Sequence, residues 1–166
     1  LDFGCYEGRL LGGLLDKGVR RAVGVDVNGD AIARGTTLHP RAELHHLRQP
    51  IPLPFDAGTF TAITLLDVLE HVDDQMTLLD ELHRVLRDDG MLIVTVPRQH
   101  IFSFLDRGNY KFRFPRLHRW FFCLAHSREE YEYRYVNNPD GLIGDISAEK
   151  AWHEHFTESH LAEVLR

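Results

Sequence analysis

The residues of this chain best suited to chemistry stand just beyond apolar runs. Asp2 opens the stretch LDFGCYEG, Asp26 closes RAVGVDV, and Asp67, Glu70 and His71 fall within LLDVLEHV. A carboxylate that ends a strand after a glycine turn can accept both hydrogens of a ribose diol, because its two oxygens offer separate lone pairs. Asp26 is so placed; its other use would be to cap the helix that follows. Asp67, Glu70 and His71 lie within about one helical turn, where Asp67 or His71 could take a proton from a hydroxyl acceptor. His71 could equally cap or pack. Mixed carboxylate and imidazole ligation of a divalent ion by this cluster and a later histidine is chemically reasonable, but the spacing assigns no metal ligands.

Alternating strands and helices must position these groups. GRLLGGLLDKG carries Leu10, Leu11, Leu14 and Leu15 at helical spacing and stops at Gly18. RAVGVDV reads as a strand, NGDAIARGTTLH as a short capped helix, and AELHHL as a weak strand. Proline punctuates PIPLPF before the strand TFTAITLL. The helix VDDQMTLLDELHRVLRDDG presents Val72, Met76, Leu79, Leu82 and Leu86 on one face, and MLIVTV closes the series. This rhythm predicts a doubly wound, Rossmann-like α/β fold: a parallel sheet of order 3-2-1-4-5 with helices on both faces. Asp2 and Asp26 should then share one sheet edge. Asp26→Ala should weaken ligand binding and barely change folding.

Composition narrows the classes. The 166 residues are 43% hydrophobic and 27% charged, ordinary for one globular domain, and the net charge of −6 argues against a nucleic-acid binder. Cys5 and Cys123 are too few for a disulfide scaffold and suit a reducing, cytoplasmic setting. No run approaches the roughly 20 apolar residues of a membrane span. Gly4, Gly8, Gly12 and Gly13 never give G-x-G-x-x-G, and no G-x-x-x-x-G-K-S/T occurs, so dinucleotide and phosphoryl-transfer loops are excluded.

LDFGCYEG, VGVDV, LPFDAGTFTAITLLDVLEHV and LHRVLRDDGMLIVTVP occur in this order. Together they resemble the class I S-adenosylmethionine-dependent methyltransferases, specifically the small-molecule, type 11-like branch. The resemblance is dense over residues 1–97, and WHEHFTESHLAEVL is similar to that branch's late HFT segment. It implies S-adenosylmethionine as cofactor, with Asp2, Gly4, Cys5, Tyr6 and Gly8 lining its methionine and ribose part. It further implies Asp26 on the ribose hydroxyls, Val27 against the adenine, and Leu66 lining the same site. Tyr6 replaces the usual middle glycine, so its backbone must find a conformation open to an L-residue or bear strain, with the ring turned to solvent or the substrate mouth. Gln49 stands where many relatives carry an acid; its amide oxygen can still accept from the adenine amino group. RDDG replaces PGG, a change expected to affect only the local turn.

Residues 98–150 differ in kind. They hold 11 of the chain's 17 aromatic residues, and Arg107 to Arg119 includes five Lys or Arg and no acid. Such a segment after the fifth strand suits a substrate lid, giving a core over 1–97, a lid over 98–150 and a return to the core over 151–166. RLHRWFFCLAH places Leu117, Trp120, Phe121 and Leu124 at amphipathic spacing beside Arg113, Arg116 and Arg119. Core packing is the ordinary fate of such a stripe. The alternatives are recognition of an anionic acceptor, with Arg113, Arg116 and His153 as substrate residues, or contact with a membrane surface. His153 and His155 precede the last helix, where the resemblance puts them over the acceptor; either could orient or deprotonate it. Both chain ends read as truncated, since the fold normally adds two antiparallel strands. The sequence therefore implies methyl transfer to a small-molecule acceptor, against a non-catalytic binding or assembly module and a membrane-surface enzyme with a lipid-linked acceptor.

Overall fold

A computed structural model describes residues 1–72, 74–98, 114–137 and 155–165. The chain divides into two compact units, one of Leu1–Val96 with Val164–Arg166 and one of Pro97–Glu163.

The first unit is a five-stranded parallel sheet. Its strands are β1 (Asp2–Phe3), β2 (Val23–Asp26), β3 (Glu43–His46), β4 (Phe60–Leu66) and β5 (Leu86–Thr95), in the order β3-β2-β1-β4-β5. Helices α1 (Arg9–Asp16), α2 (Gly29–Leu38) and α3 (Gln75–Val85) make the crossovers. The expected order holds because right-handed crossovers on an alternating chain leave few other arrangements. Each helix stops or starts where the local chemistry dictates. Gly18, at φ 92°, closes α1, with its N–H on Leu15 O at 3.1 Å and that of Val19 on Leu14 O at 3.1 Å. Asn28 caps α2 by accepting from the Ala31 N–H at 2.9 Å, and Asp74 caps α3 by accepting from the Thr77 N–H at 3.1 Å. Under one sheet face Cys5, Leu11, Leu15, Ala22, Ile32 and Ala42 form a single cluster.

One local expectation is corrected. The buried face of α3 is Leu78, Leu82 and Val85, whereas Met76 is exposed. The Asp74 cap begins the helix at Gln75 and Leu86 already pairs with Phe60 in β5, so Val72 and Leu86 fall outside the helix, while Leu82 is buried as expected. Met76 and Leu79 instead line a surface cavity of about 360 Å³. RDDG interrupts the register of β5: Phe60 pairs with Leu86 and Ala62 with Met91, so Arg87–Gly90 stand opposite Thr61 alone. Within this segment Arg87 donates to the Asp89 carboxylate at 2.8 and 3.1 Å.

The second unit contains α4 (Pro115–Phe122), α5 (Arg128–Tyr131), a π-helical turn (Glu132–Asn137) and all but the last residue of α6 (Glu158–Val164). Thr157 Oγ1 accepts from the His160 N–H at 3.1 Å, the N-cap expected of it. Tyr131 is 2% exposed and anchors an aromatic cluster with His118, Phe122 and Tyr135. Among the described residues the stripe Leu117, Trp120, Phe121 and Leu124 does not pack on a core. It is 49%, 58%, 58% and 66% exposed, because α4 turns His118 and Phe122 into the cluster instead.

Candidate functional site

In a parallel sheet all carboxyl ends lie along one edge, and here that edge collects the ends of β1, β2 and β4. The chain leaves β1 through a turn whose alternate residues Gly4, Tyr6 and Gly8 are left-handed, with φ of 80°, 50° and 72°. Glycine is required at Gly4: a Cβ there would stand 2.4 Å from Val68 Cγ2. Tyr6 takes the same kind of backbone without glycine's freedom, at a cost of roughly 1 kcal/mol. Its ring lies at the surface, where Arg34 Nη2 donates to its hydroxyl at 3.2 Å and Arg34 Nε donates to Glu7 at 2.8 Å. Gly8 caps α1 without a side chain, so the positive end of that helix opens onto the turn.

Asp26 organises this turn. Its Oδ2 accepts from the Tyr6 N–H at 2.7 Å and its Oδ1 from the Asn28 N–H at 2.8 Å. Asn28, not Asp26, caps α2. The carboxylate thus joins the end of β2 to the strained residue of the turn, and each oxygen keeps a further lone pair for a ligand hydroxyl. Because the backbone leans on it, Asp26→Ala should cost stability as well as ligand binding.

The end of β4 carries a second strained residue. Asp67 has φ 53° and is fixed through Thr95, which donates from Oγ1 to Asp67 Oδ1 at 3.0 Å. A short 3-10 helix, Leu69–His71, follows. It aims Glu70 inward: the side chain is 1% exposed, and its Oε2 has no hydrogen-bond partner among the described residues. Burial, reinforced by the Asp67 charge, pushes the Glu70 carboxyl up to about 7. His71 Nε2 lies 3.9 Å from Glu70 Oε1, and the His71 side chain is 24% exposed. Among the described residues no three carboxylate, imidazole or thiol groups are grouped to hold a metal ion.

The remaining sequence-predicted residues fall into three groups. Val27 and Gln49 are exposed beyond β2 and β3, and Leu66 ends β4. Asp2 and Cys5 are buried. Thr64 Oγ1 donates to the Asp2 carboxylate at 2.6 Å, and burial raises the Asp2 carboxyl above its ordinary range. Burial, followed by the Asp2 and Asp26 charges, pushes the Cys5 thiol up to about 12, so the neutral side chain is a core residue. Only the backbone of Cys5 faces the turn's work. Arg116 is exposed on α4 and His155 is half-buried in the second unit; Arg113 and His153 lie outside the described residues.

Sequence reading missed Thr64, Thr95 and Arg34, the supports of Asp2, Asp67 and the Tyr6 turn. Thr64 stands opposite Asp2 in the parallel register, so strand pairing was the signal that could have found it. Arg34 carries none, because its partners are 27 and 28 residues away.

Residues 1–94 match the family described as "Methyltransferase domain". A protein of Mycolicibacterium smegmatis, named as an S-adenosylmethionine-dependent methyltransferase, is 33% identical over 104 residues, covering 62% of this chain and 39% of that protein. A demethylmenaquinone methyltransferase of Staphylococcus epidermidis is 34% identical over 84 residues, covering 49% of this chain and 34% of that one. The chain thus spans about two fifths or less of the curated relatives it matches. The crystal structure of a SAM-dependent methyltransferase from Methanosarcina mazei superposes with a TM-score of 0.67 at 22% identity, over 99% of this chain and 75% of that one. That likeness bears on the fold.

Proposed function

Because the chain belongs to the methyltransferase domain family, we propose that it transfers a methyl group from S-adenosylmethionine to a small-molecule acceptor at the edge formed by β1, β2 and β4. The observation that carries this reading is the Asp26 carboxylate, held by the Tyr6 and Asn28 N–H groups beside a turn of left-handed residues. A carboxylate fixed by two backbone donors needs no reorganisation to receive a ribose diol. The uncapped amino end of α1 suits the carboxylate of a methionine moiety. Exposed Val27 offers a surface for an adenine ring, and Gln49 an acceptor for its amino group.

The cofactor supplies an electrophilic methyl on a cationic sulfur, so the protein's work is alignment of the acceptor and exclusion of water. For a hydroxyl acceptor, Asp67 or His71 serves as base, with His155 as the further candidate in the second unit. Thr95 holds the Asp67 carboxylate, and Glu70 stands behind His71. Arg113, Arg116 and His153 are the residues for an anionic acceptor. The demethylmenaquinone methyltransferase relatives favour a small organic acceptor over a macromolecule.

The test is incubation with labelled S-adenosylmethionine and fractionated cell extracts, read by mass spectrometry. A product that gains one labelled methyl group supports the reading. Label that never leaves the cofactor in any fraction overturns it.

A further inference from the structure

Helix α4 and the turn after it carry two apolar stripes, and among the described residues one of them is packed. His118 and Phe122 face inward: Phe122 lies 5.5 Å from the Tyr131 ring and 5.3 Å from Tyr135, and His118 lies 4.9 Å from Tyr135. An ion pair between Arg119 and Glu132 fixes the roll of the helix on the same side. The opposite stripe of Leu117, Trp120, Phe121 and Leu124 is therefore held outward, each at least 49% exposed. Trp120 and Phe121 pack edge to face at 4.8 Å and form the aromatic centre of this exposed apolar ridge.

The sequence that carries this stripe has a charge sign. Over residues 97–137 Lys and Arg outnumber Asp and Glu by eight to four, whereas the rest of the chain holds 11 against 21. The basic run from Arg107 to Arg119 contains no acid, and within it Arg116 is exposed on α4. A cationic segment on an otherwise acidic chain, joined to an exposed Trp–Phe–Leu ridge, matches the chemistry of an anionic bilayer surface. Eight residues rise only about 12 Å, so such a helix lies in the interface and does not span it. Among the described residues no helix is long and apolar enough to cross a membrane.

We infer that α4 is a peripheral membrane-docking element, which seats Leu117, Trp120, Phe121 and Leu124 in the headgroup–acyl boundary of bilayers rich in anionic lipid. A single-stranded nucleic acid is the less suitable occupant. Its stacking platforms are aromatic rings, and here two of the four exposed apolar residues, Leu117 and Leu124, are aliphatic and offer no face to a base. The inference is independent of the methyl-transfer reading, since it concerns no cofactor residue.

The full chain is floated with phosphatidylcholine vesicles, with and without phosphatidylglycerol. Wild type is expected to float with the mixed vesicles and only weakly with pure phosphatidylcholine, and to lose several-fold in binding at high salt as the attraction is screened. Trp120→Ser with Phe121→Ser should reduce binding at least tenfold, and Leu124→Ser should reduce it in the same direction. Both variants should keep the wild-type circular dichroism and S-adenosylhomocysteine affinity. Wild type that does not float with anionic vesicles overturns the inference, as does a double variant that floats equally well. A dimer dispersed by the double variant, or RNA binding lost with it in place of vesicle binding, also overturns it.

Discussion

Replacing Glu70 with Gln should uncouple the stability of the first unit from pH across the neutral range. Glu70 is 1% exposed, its Oε2 is unpartnered among the described residues, and its carboxyl is pushed from the ordinary 4.5 up to about 7. Below about pH 4.5 the group carries its proton in both the folded and the unfolded chain, so it adds nothing unfavourable. As pH rises toward 7, the unfolded chain releases that proton freely while the folded chain must either keep it or bury a charge. Stability therefore falls through this window and levels off above it. At about 1.4 kcal/mol per pH unit the gap amounts to roughly 3 kcal/mol. Gln keeps the size and removes the titration. Urea unfolding of wild type and Glu70→Gln from about pH 5 to about pH 8 isolates the effect, because other groups cancel in the difference. The variant's stability relative to wild type should climb by about 2.5 kcal/mol across the series, the part of the gap that falls between these pH values. A difference that stays flat with pH would refute the burial of an ionisable Glu70.

Other substitutions probe the turn and the second unit. Gly4→Ala should cost about 2–4 kcal/mol, from a Cβ driven against Val68 and a left-handed backbone, while Tyr6→Gly should change stability by less than about 1 kcal/mol because relieved strain offsets lost chain entropy; equal losses in urea unfolding would contradict the geometry of the turn. Asp26→Ala should cost about 1.5–3 kcal/mol of stability, since two backbone N–H groups lose a charged acceptor, and a melting temperature equal to wild type would show that they find other partners. Phe122→Ala should cost about 2 kcal/mol and Trp120→Ala less than about 1 kcal/mol, and the reverse order in denaturation would mean that α4 is rolled the other way.

Much of the fold could be read in the sequence, because strand and helix alternate and handedness then restricts the sheet. Asp26 was legible for a related reason: an acid at the end of the second strand must reach the shared edge whatever its neighbours do. Burial was harder to read. Cys5 sits in a glycine turn, yet its side chain drops into the cluster with Leu11 and Ile32. Glu70 reads as one member of an acid–base cluster at the mouth, but the 3-10 geometry of Leu69–His71 turns it inward. Such a rotation depends on two or three dihedral angles, which residue spacing does not encode. The same limit explains α3 and α4. Both were correctly seen as helices, and in each the periodicity marked an apolar stripe without fixing which stripe meets the core. In α4 two stripes compete, and the aromatic cluster around Tyr131, contributed by residues a turn or more later in the chain, decides between them.

The most direct test of a cofactor site at the β1–β2–β4 edge is titration calorimetry with S-adenosylhomocysteine, run on wild type and on Asp26→Ala at a temperature where circular dichroism shows both folded. Wild type should bind one equivalent, and the variant should bind roughly ten- to a hundredfold more weakly, the loss expected for a charged acceptor of two hydroxyl groups. No detectable binding by wild type, or an affinity in the variant unchanged within about twofold, would contradict the assignment of Asp26 and of the turn it holds.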